Sequence, residues 1–124
     1  DIAQPGVYKL RIEASKNFPA VQEFDSKKTP GNKGLKVRYV FVDPSAVMTT
    51  KGSVAKNLGS IIDQSIIFFP ENKQGKLRSL VEACGLAWMD FDTEQLVGQE
   101  VNAKVGLEEY QGIPKNVIER YLKP

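Results

Sequence analysis

Histidine is absent from the sequence and cysteine occurs once. Without an imidazole, the chain excludes His-based general-base catalysis, Ser–His and Cys–His nucleophilic pairs, and histidine-ligated metals. A single Cys84 can form no internal disulfide and cannot complete a structural zinc site, and it agrees with a reducing, intracellular setting. These absences favour a binding protein over an enzyme.

Long apolar runs are also absent, since none approaches the ~20 residues that a membrane helix needs. The start, "DIAQPGVYKL", lacks the basic and apolar segments of a signal peptide. Because the sequence begins at Asp1 rather than methionine, we expect it to be a fragment of a longer protein. With 124 residues, 41% hydrophobic and 26% charged, the composition predicts one soluble globular domain over residues 1–124, without membrane contact.

No glycine-rich phosphate loop is present, because "TPGNKGLK" lacks the spacing of a P-loop. The remaining enzymatic hypothesis is a metal-dependent nuclease that uses Asp90, Asp92 and Glu94, with Glu100 as a further ligand. A simpler interpretation of "DFDTE" is helix capping by Asp92 or Thr93. We therefore predict no catalytic residues, no metal and no cofactor.

Two early segments alternate between apolar and polar residues, "GVYKLRIEA" and "GLKVRYVFVD", and this pattern predicts half-buried strands. The stretch Lys16–Lys33 between them contains Pro19, Pro30 and Gly31 and is predicted to be a long loop. A third strand is expected near Ile61–Phe69, after an irregular stretch with one helical turn around residues 54–58.

The second half predicts one amphipathic helix in "ENKQGKLRSLVEACGL", capped by Gly85, and then a short capped turn that ends at Gly98. "EVNAKVGLEEY" and "NVIERYL" are the fourth and fifth predicted strands. Three strands, a helix and two strands are typical of the five-stranded OB-fold barrel. We therefore predict an all-β OB-fold, with a helix-capped open sheet as the alternative.

Basic residues recur at outward positions of the predicted strands, two residues apart, which places them on one face. Residues 1–52 hold nine Lys or Arg and five Asp or Glu, whereas residues 53–124 hold eight and ten. Phosphates of a single strand need such a basic track. The predicted phosphate contacts are Lys9, Arg11, Lys36, Arg38, Lys104 and Arg120. Lysines on exposed strands also hinder edge-to-edge aggregation, so a purely solvated face is the alternative.

Single-strand binders also need aromatic rings on which bases stack. Phe18 and Phe24 in the predicted first loop, and Tyr110 in the last hairpin, are the candidates, although either Phe could instead fold the loop onto the barrel. We assign Tyr121 to neither side. The aromatic residues predicted for the core are Tyr8, Tyr39, Phe41 and Trp88.

The C-terminal third resembles a phage-encoded domain family of unknown function that is grouped with OB-fold single-stranded DNA-binding proteins. The matching pattern is a Leu-rich helix ending in glycine, Leu-x-Gly, a Val-alternating strand, Glu-Glu-Tyr-x-Gly and Asn-x-Ile. The residues that carry it are Leu77, Leu80, Gly85, Leu96, Gly98, Glu108, Glu109, Tyr110, Gly112, Asn116 and Ile118. The resemblance implies an OB-fold and a role in phage DNA replication or recombination.

The leading hypothesis is a largely sequence-independent single-stranded DNA-binding protein in the cytoplasm of a phage-infected bacterial host. Its expected partners are single-stranded DNA, replication or recombination proteins of the phage or host, and a second copy of the chain. The alternative is an OB-fold protein-interaction or assembly module that binds no nucleic acid. The metal-dependent nuclease ranks third.

Overall fold

The computed structural model describes residues 1–124, which form six β-strands and one α-helix. The strands are β1 (Gly6–Ile12), β2 (Val21–Asp25), β3 (Lys33–Phe41), β4 (Ile61–Phe69), β5 (Glu100–Tyr110) and β6 (Ile113–Leu122), and the helix is α1 (Gly75–Ala83). Short 3₁₀ turns occupy Pro44–Ala46, Glu71–Lys73 and Thr93–Leu96. The prediction of a mostly β domain with one main helix is confirmed.

All strands belong to one antiparallel sheet in the order β2-β3-β1-β5-β6, and β4 pairs with the other edge of β3. β1 and β2 lie end to end along one edge of β3, since β1 pairs with its C-terminal part and β2 with its N-terminal part. β4 and β6 share no ladder, so the sheet is not closed.

The number of predicted strands was wrong, because the expected loop Lys16–Lys33 contains β2. Its sequence, "VQEFD", is short and lacks a clear alternation, and its backbone is fixed by pairing with Lys33–Val37 of β3. The helical turn expected around residues 54–58 is also absent. An isolated bridge between Met48 and Val54 is found there instead.

The core lies on the inner face of the bent sheet and under α1. Strand alternation buries Leu10 and Ile12 of β1, and Leu35, Val37 and Tyr39 of β3. Of the aromatic residues predicted for the core, Tyr39 and Phe41 are buried, whereas Tyr8 and Trp88 are only partly buried against it. From α1, Leu77, Leu80 and Val81 complete this core, whereas Cys84 is only partly buried against it. Burial raises the pKa of the Cys84 thiol to about 11, so the thiol is protonated and unreactive at neutral pH.

The two glycines predicted to end elements in the second half of the chain, Gly85 and Gly98, are confirmed in that role. α1 ends where Gly85 takes φ +75°, with Gly85 N donating to Glu82 O and Leu86 N donating to Val81 O, the Schellman pattern. The 3₁₀ turn Thr93–Leu96 begins with Asp92 as its cap. It is followed by Gly98 at φ +84°.

A hydrogen-bond network around Asp63 spans the gap between β4 and β6. The Tyr39 hydroxyl donates to the Tyr121 hydroxyl (2.6 Å), which donates to Asp63 Oδ2 (2.6 Å). Ser65 N and Oγ donate to Asp63 Oδ1, and Lys76 Nζ lies 3.4 Å from Asp63 Oδ2. Asp63 is only 6% exposed, so these partners, rather than water, stabilise its carboxylate. We call these five residues the Asp63 network.

Burial of their hydroxyl groups raises the pKa of Tyr39 and of Tyr121 well above the ordinary value for tyrosine. Both phenols are therefore neutral donors over the ordinary pH range. This protonation state is the one that the Asp63 network requires, because a phenolate cannot donate to the carboxylate.

Among the helices, none has the length and apolar character required to cross a membrane.

The Asp63 network predicts a stability cost for Tyr121→Phe, which removes the donor to a buried carboxylate and keeps the ring. We expect the free energy of unfolding, measured by urea denaturation, to fall by about 1.5–3 kcal/mol. The matched control is Tyr110→Phe, whose hydroxyl has no hydrogen-bond partner, and it should change stability by less than about 0.5 kcal/mol. Equal stability of the two variants would show that the network contributes nothing.

The buried phenols also predict a loss of stability at alkaline pH. Their folded-state pKa values lie above the unfolded value of about 10, so the folded state retains protons that the unfolded state releases. The stabilisation is complete below pH ~10 and is lost as the pH rises further. Urea midpoints measured from neutral to strongly alkaline pH should show this decline, and Tyr121→Phe should reduce it. A flat profile above pH ~10 would contradict the assignment.

Candidate nucleic-acid interface

A cleft of about 620 Å³ lies along β4, where β4 and β6 share no ladder. The turn between β2 and β3 forms one wall, β4 forms the floor, and the β5–β6 hairpin forms the other wall. The lining residues are Phe24, Ser26, Lys27, Lys28, Thr29, Asn32, Ile62, Asp63, Gln64, Ser65, Ile67, Glu108, Lys115, Val117 and Ile118.

Local hydrogen bonds order the turn that forms the first wall. Ser26 N donates to Asn32 O (2.9 Å), Asn32 N donates to Thr29 O (3.1 Å), and Ser26 Oγ accepts from Thr29 N (3.1 Å). Gly31 takes φ +91°, a backbone conformation that residues other than glycine rarely adopt. The exposed side chains of Lys27 and Lys28 are thereby held on a defined turn next to the cleft.

Phe24 contributes the aromatic surface of the cleft. Its ring lies over Gly34 on the neighbouring strand, where an added methyl group would be 2.5 Å from Phe24 Cζ. Glycine at this position therefore makes room for the ring. Ile62 and Ile67 of β4 also line the cleft, on either side of Asp63, Gln64 and Ser65. The floor therefore offers aliphatic surface to the flat face of a base, beside polar side chains.

The opposite wall is a hairpin with a two-residue turn, Gln111–Gly112, where both residues have positive φ. In the register of this hairpin, Glu108 lies opposite Lys115, and Tyr110 lies opposite Ile113. Strand alternation places Tyr110 on the face of Glu108, and Ile113 on the face of Lys115. Tyr110 and Ile113, which are 67% and 69% exposed, therefore extend the cleft wall outward.

The basic residues of the cleft are free to bind a ligand, whereas its buried acidic residue is already neutralised by neighbouring groups. Lys27, Lys28 and Lys115 are exposed and form no ion pair. The buried Asp63 has its charge compensated by its own network, and Glu108 is the one other acidic residue of the lining. The cleft thus presents three free ammonium groups beside aromatic and aliphatic surface.

Four of the residues predicted for DNA binding lie in or near this cleft. Phe24 lines it, on a strand rather than in the predicted loop, and Tyr110 extends its wall. Lys36 and Arg38 share the outer face of β3 with Gly34. Arg38 is opposite Ile62 of the floor, and its Nη1 donates to Glu13 O (2.7 Å).

The other predicted residues lie elsewhere. On β1, β5 and β6, Lys104 lies opposite Arg120, and Arg11 lies opposite Glu100. Two of these cations are in ion pairs, Arg11 with Glu100 (2.7 Å) and Lys104 with Glu119 (3.4 Å).

Lys9 is exposed on the same face of β1 as Arg11, and it forms no ion pair. Phe18 is 60% exposed in the loop between β1 and β2 and lines no part of the cleft. The structure therefore places four residues of the predicted set in or near the cleft and four on β1, β5 and β6, with Phe18 apart from both groups.

Sequence reasoning missed Lys27, Lys28 and Lys115, together with Ile62 and Ile67 of the floor. The adjacent lysines of "SKKTPGNK" were a usable signal, because turn residues surround them and core packing does not require them. Ile62 and Ile67 could not be assigned to a face, because β4 has consecutive apolar residues on both sides of Asp63, Gln64 and Ser65 and so shows no alternation.

The carboxylates of the nuclease hypothesis have separate local roles. Asp92 Oδ1 accepts from Glu94 N (3.0 Å) as a helix cap, and Glu100 binds Arg11. Asp90 lies in the left-handed region at φ +57°. No group of three or more acidic or thiol side chains converges in the way a metal ion requires.

A scan against models of protein families finds no family that matches the chain, and a search of curated proteins finds no relative.

Proposed function

We propose that the protein binds single-stranded DNA in the cleft between the Ser26–Asn32 turn and the β5–β6 hairpin. The observation that carries this proposal is the combination of one aromatic and several aliphatic side chains with three lysines that form no ion pair. Bases stack on the apolar surface while the ammonium groups meet phosphates. Tyr110, at the outer end of the wall, is available to a further base.

The proposed binding is largely independent of sequence. Stacking accepts every base, because each has an aromatic face, and lysines bind phosphates as point charges without reading base edges. An unpaired strand is favoured over duplex, since Phe24 and Tyr110 offer flat surfaces only to unstacked bases. No catalytic step is part of the proposal.

We also assign the domain to the OB-fold class. Support comes from the pairing of β1 with β3 and β5, of β3 with β4, and of β5 with β6, with α1 between β4 and β5. β2 is then an additional strand inserted before β3. OB-folds bind nucleic acid on the outer face of their second and third strands, flanked by two loops. Of these parts, β4 as the third strand, the turn before β3 and the β5–β6 hairpin line the cleft, and this supports the assignment.

The biological setting follows from the resemblance in the C-terminal third. We propose a role in phage DNA replication or recombination, in the cytoplasm of the infected host. Replication or recombination proteins are then the expected partners.

Two triple variants test the proposal by titration of fluorescent oligonucleotides, single-stranded and duplex, over a series of salt concentrations. The cleft variant is Lys27→Ala, Lys28→Ala and Lys115→Ala, and the matched control is Lys9→Ala, Lys104→Ala and Arg120→Ala. Each phosphate contact contributes ~0.7 to the salt slope on single strands. The magnitude of the salt slope should therefore fall by about 2 for the cleft variant and should change little for the control.

Tyr110→Ala should weaken binding by about 1–3 kcal/mol without loss of stability.

Two results would overturn the proposal. If neither oligonucleotide binds at low salt, the interaction-module hypothesis replaces it. If the control variant loses as much salt slope as the cleft variant, the outer face of β1, β5 and β6 carries the binding instead.

A further inference from the structure

β2 is an edge strand with one side open. Its ladder to β3 is framed by Arg38 N donating to Ala20 O and by Ser26 N donating to Asn32 O. By the alternation of antiparallel pairs, the N–H and C=O groups of Val21, Glu23 and Asp25 point away from β3. No other strand pairs with β2. Three residues therefore present free backbone donors and acceptors to an incoming chain.

A groove of about 580 Å³ lies beside this edge, between β2 and the 3₁₀ turn Thr93–Leu96. Its walls are largely apolar, from Pro19, Ala20 and Val21 on one side and Val97 on the other. Val97 is 53% exposed although it is a large aliphatic residue. The groove is thus shaped to receive an aliphatic side chain.

The charge of the groove is negative. Glu23 of β2 and Glu94 of the 3₁₀ turn both line it, both are exposed, and neither forms an ion pair. No lysine or arginine is among the lining residues. This charge opposes nucleic acid and favours a cationic partner.

We propose that this groove binds an extended, basic segment of another protein, which adds to β2 as an antiparallel or parallel strand. Backbone hydrogen bonds form along β2, an aliphatic side chain enters between Val21 and Val97, and a lysine or arginine meets Glu23 and Glu94. The inference is independent of the proposed DNA binding, because it uses a different face and the opposite charge.

A second copy of the chain fits this edge less well than a basic segment does. If two β2 edges paired antiparallel, they would bring the glutamate and aspartate side chains of one copy near those of the other, and like charges across a strand pair are destabilising. The same carboxylates hinder unspecific strand pairing. A cationic strand removes that repulsion, so charge selects the partner.

The test is an NMR titration of the ¹⁵N-labelled chain with a short capped peptide of alternating lysine and valine. Two comparison peptides replace each lysine by glutamate, or methylate alternate backbone nitrogens. The protein variant is Glu23→Lys with Glu94→Lys, and Glu23→Gln with Glu94→Gln serves as a milder pair. The control, Glu71→Lys with Glu109→Lys, makes the same charge change at exposed positions outside the groove.

We expect saturable shifts of the β2 and 93–97 amides with the lysine peptide. Binding should be at least tenfold weaker to the Glu→Lys pair, several-fold weaker to the Glu→Gln pair and unchanged for the control. The glutamate and N-methylated peptides should bind at least tenfold more weakly. The proposal is overturned by shifts elsewhere, by equal binding of the glutamate peptide, by absence of saturable binding, or by a concentration-dependent dimer that Glu23→Pro disrupts.

Discussion

The arrangement of this sheet depends on the hydrogen bonds that the buried carboxylate of Asp63 accepts. β4 and β6 are the two strands that a closed barrel would pair, and here the bond from Tyr121 of β6 to Asp63 of β4 joins them instead of a ladder. Ser65 of β4 and Lys76 of α1 also contact Asp63. A buried carboxylate is costly unless such partners surround it. Asp63 and Ser65 also line the cleft, so the network and the proposed DNA site share these two residues.

Alternation along β2 gives the two proposed surfaces their different chemistry. The Phe24 side chain lies over Gly34 and lines the basic cleft, whereas Val21 and Glu23 line the acidic groove. One five-residue strand therefore separates a surface suited to nucleic acid from a surface suited to a basic peptide. The net charge of +2 does not reveal this division, because the positive and negative residues of the chain nearly cancel.

Strong periodic patterns were enough to predict β1, β3, β5, β6 and α1, together with the glycines at 85 and 98 that end their elements. β2 was missed because it has no pattern of its own, and its conformation comes from pairing with β3. The cleft was missed for a related reason: it joins residues 24–32, 62–67 and 108–118, which only the tertiary fold brings together. Cross-strand register, which pairs Arg11 with Glu100, likewise could not be inferred from spacing within one strand.

Amide chemical-shift mapping with a short oligothymidylate would locate the proposed DNA site. We expect the largest shifts on residues 24–32, 62–67 and 108–117, with a smaller response from Lys36 and Arg38. Amides of Lys9, Arg11 and Lys104 should move little. Shifts concentrated on the outer face of β1, β5 and β6, with the cleft unperturbed, would show that DNA does not bind in the cleft.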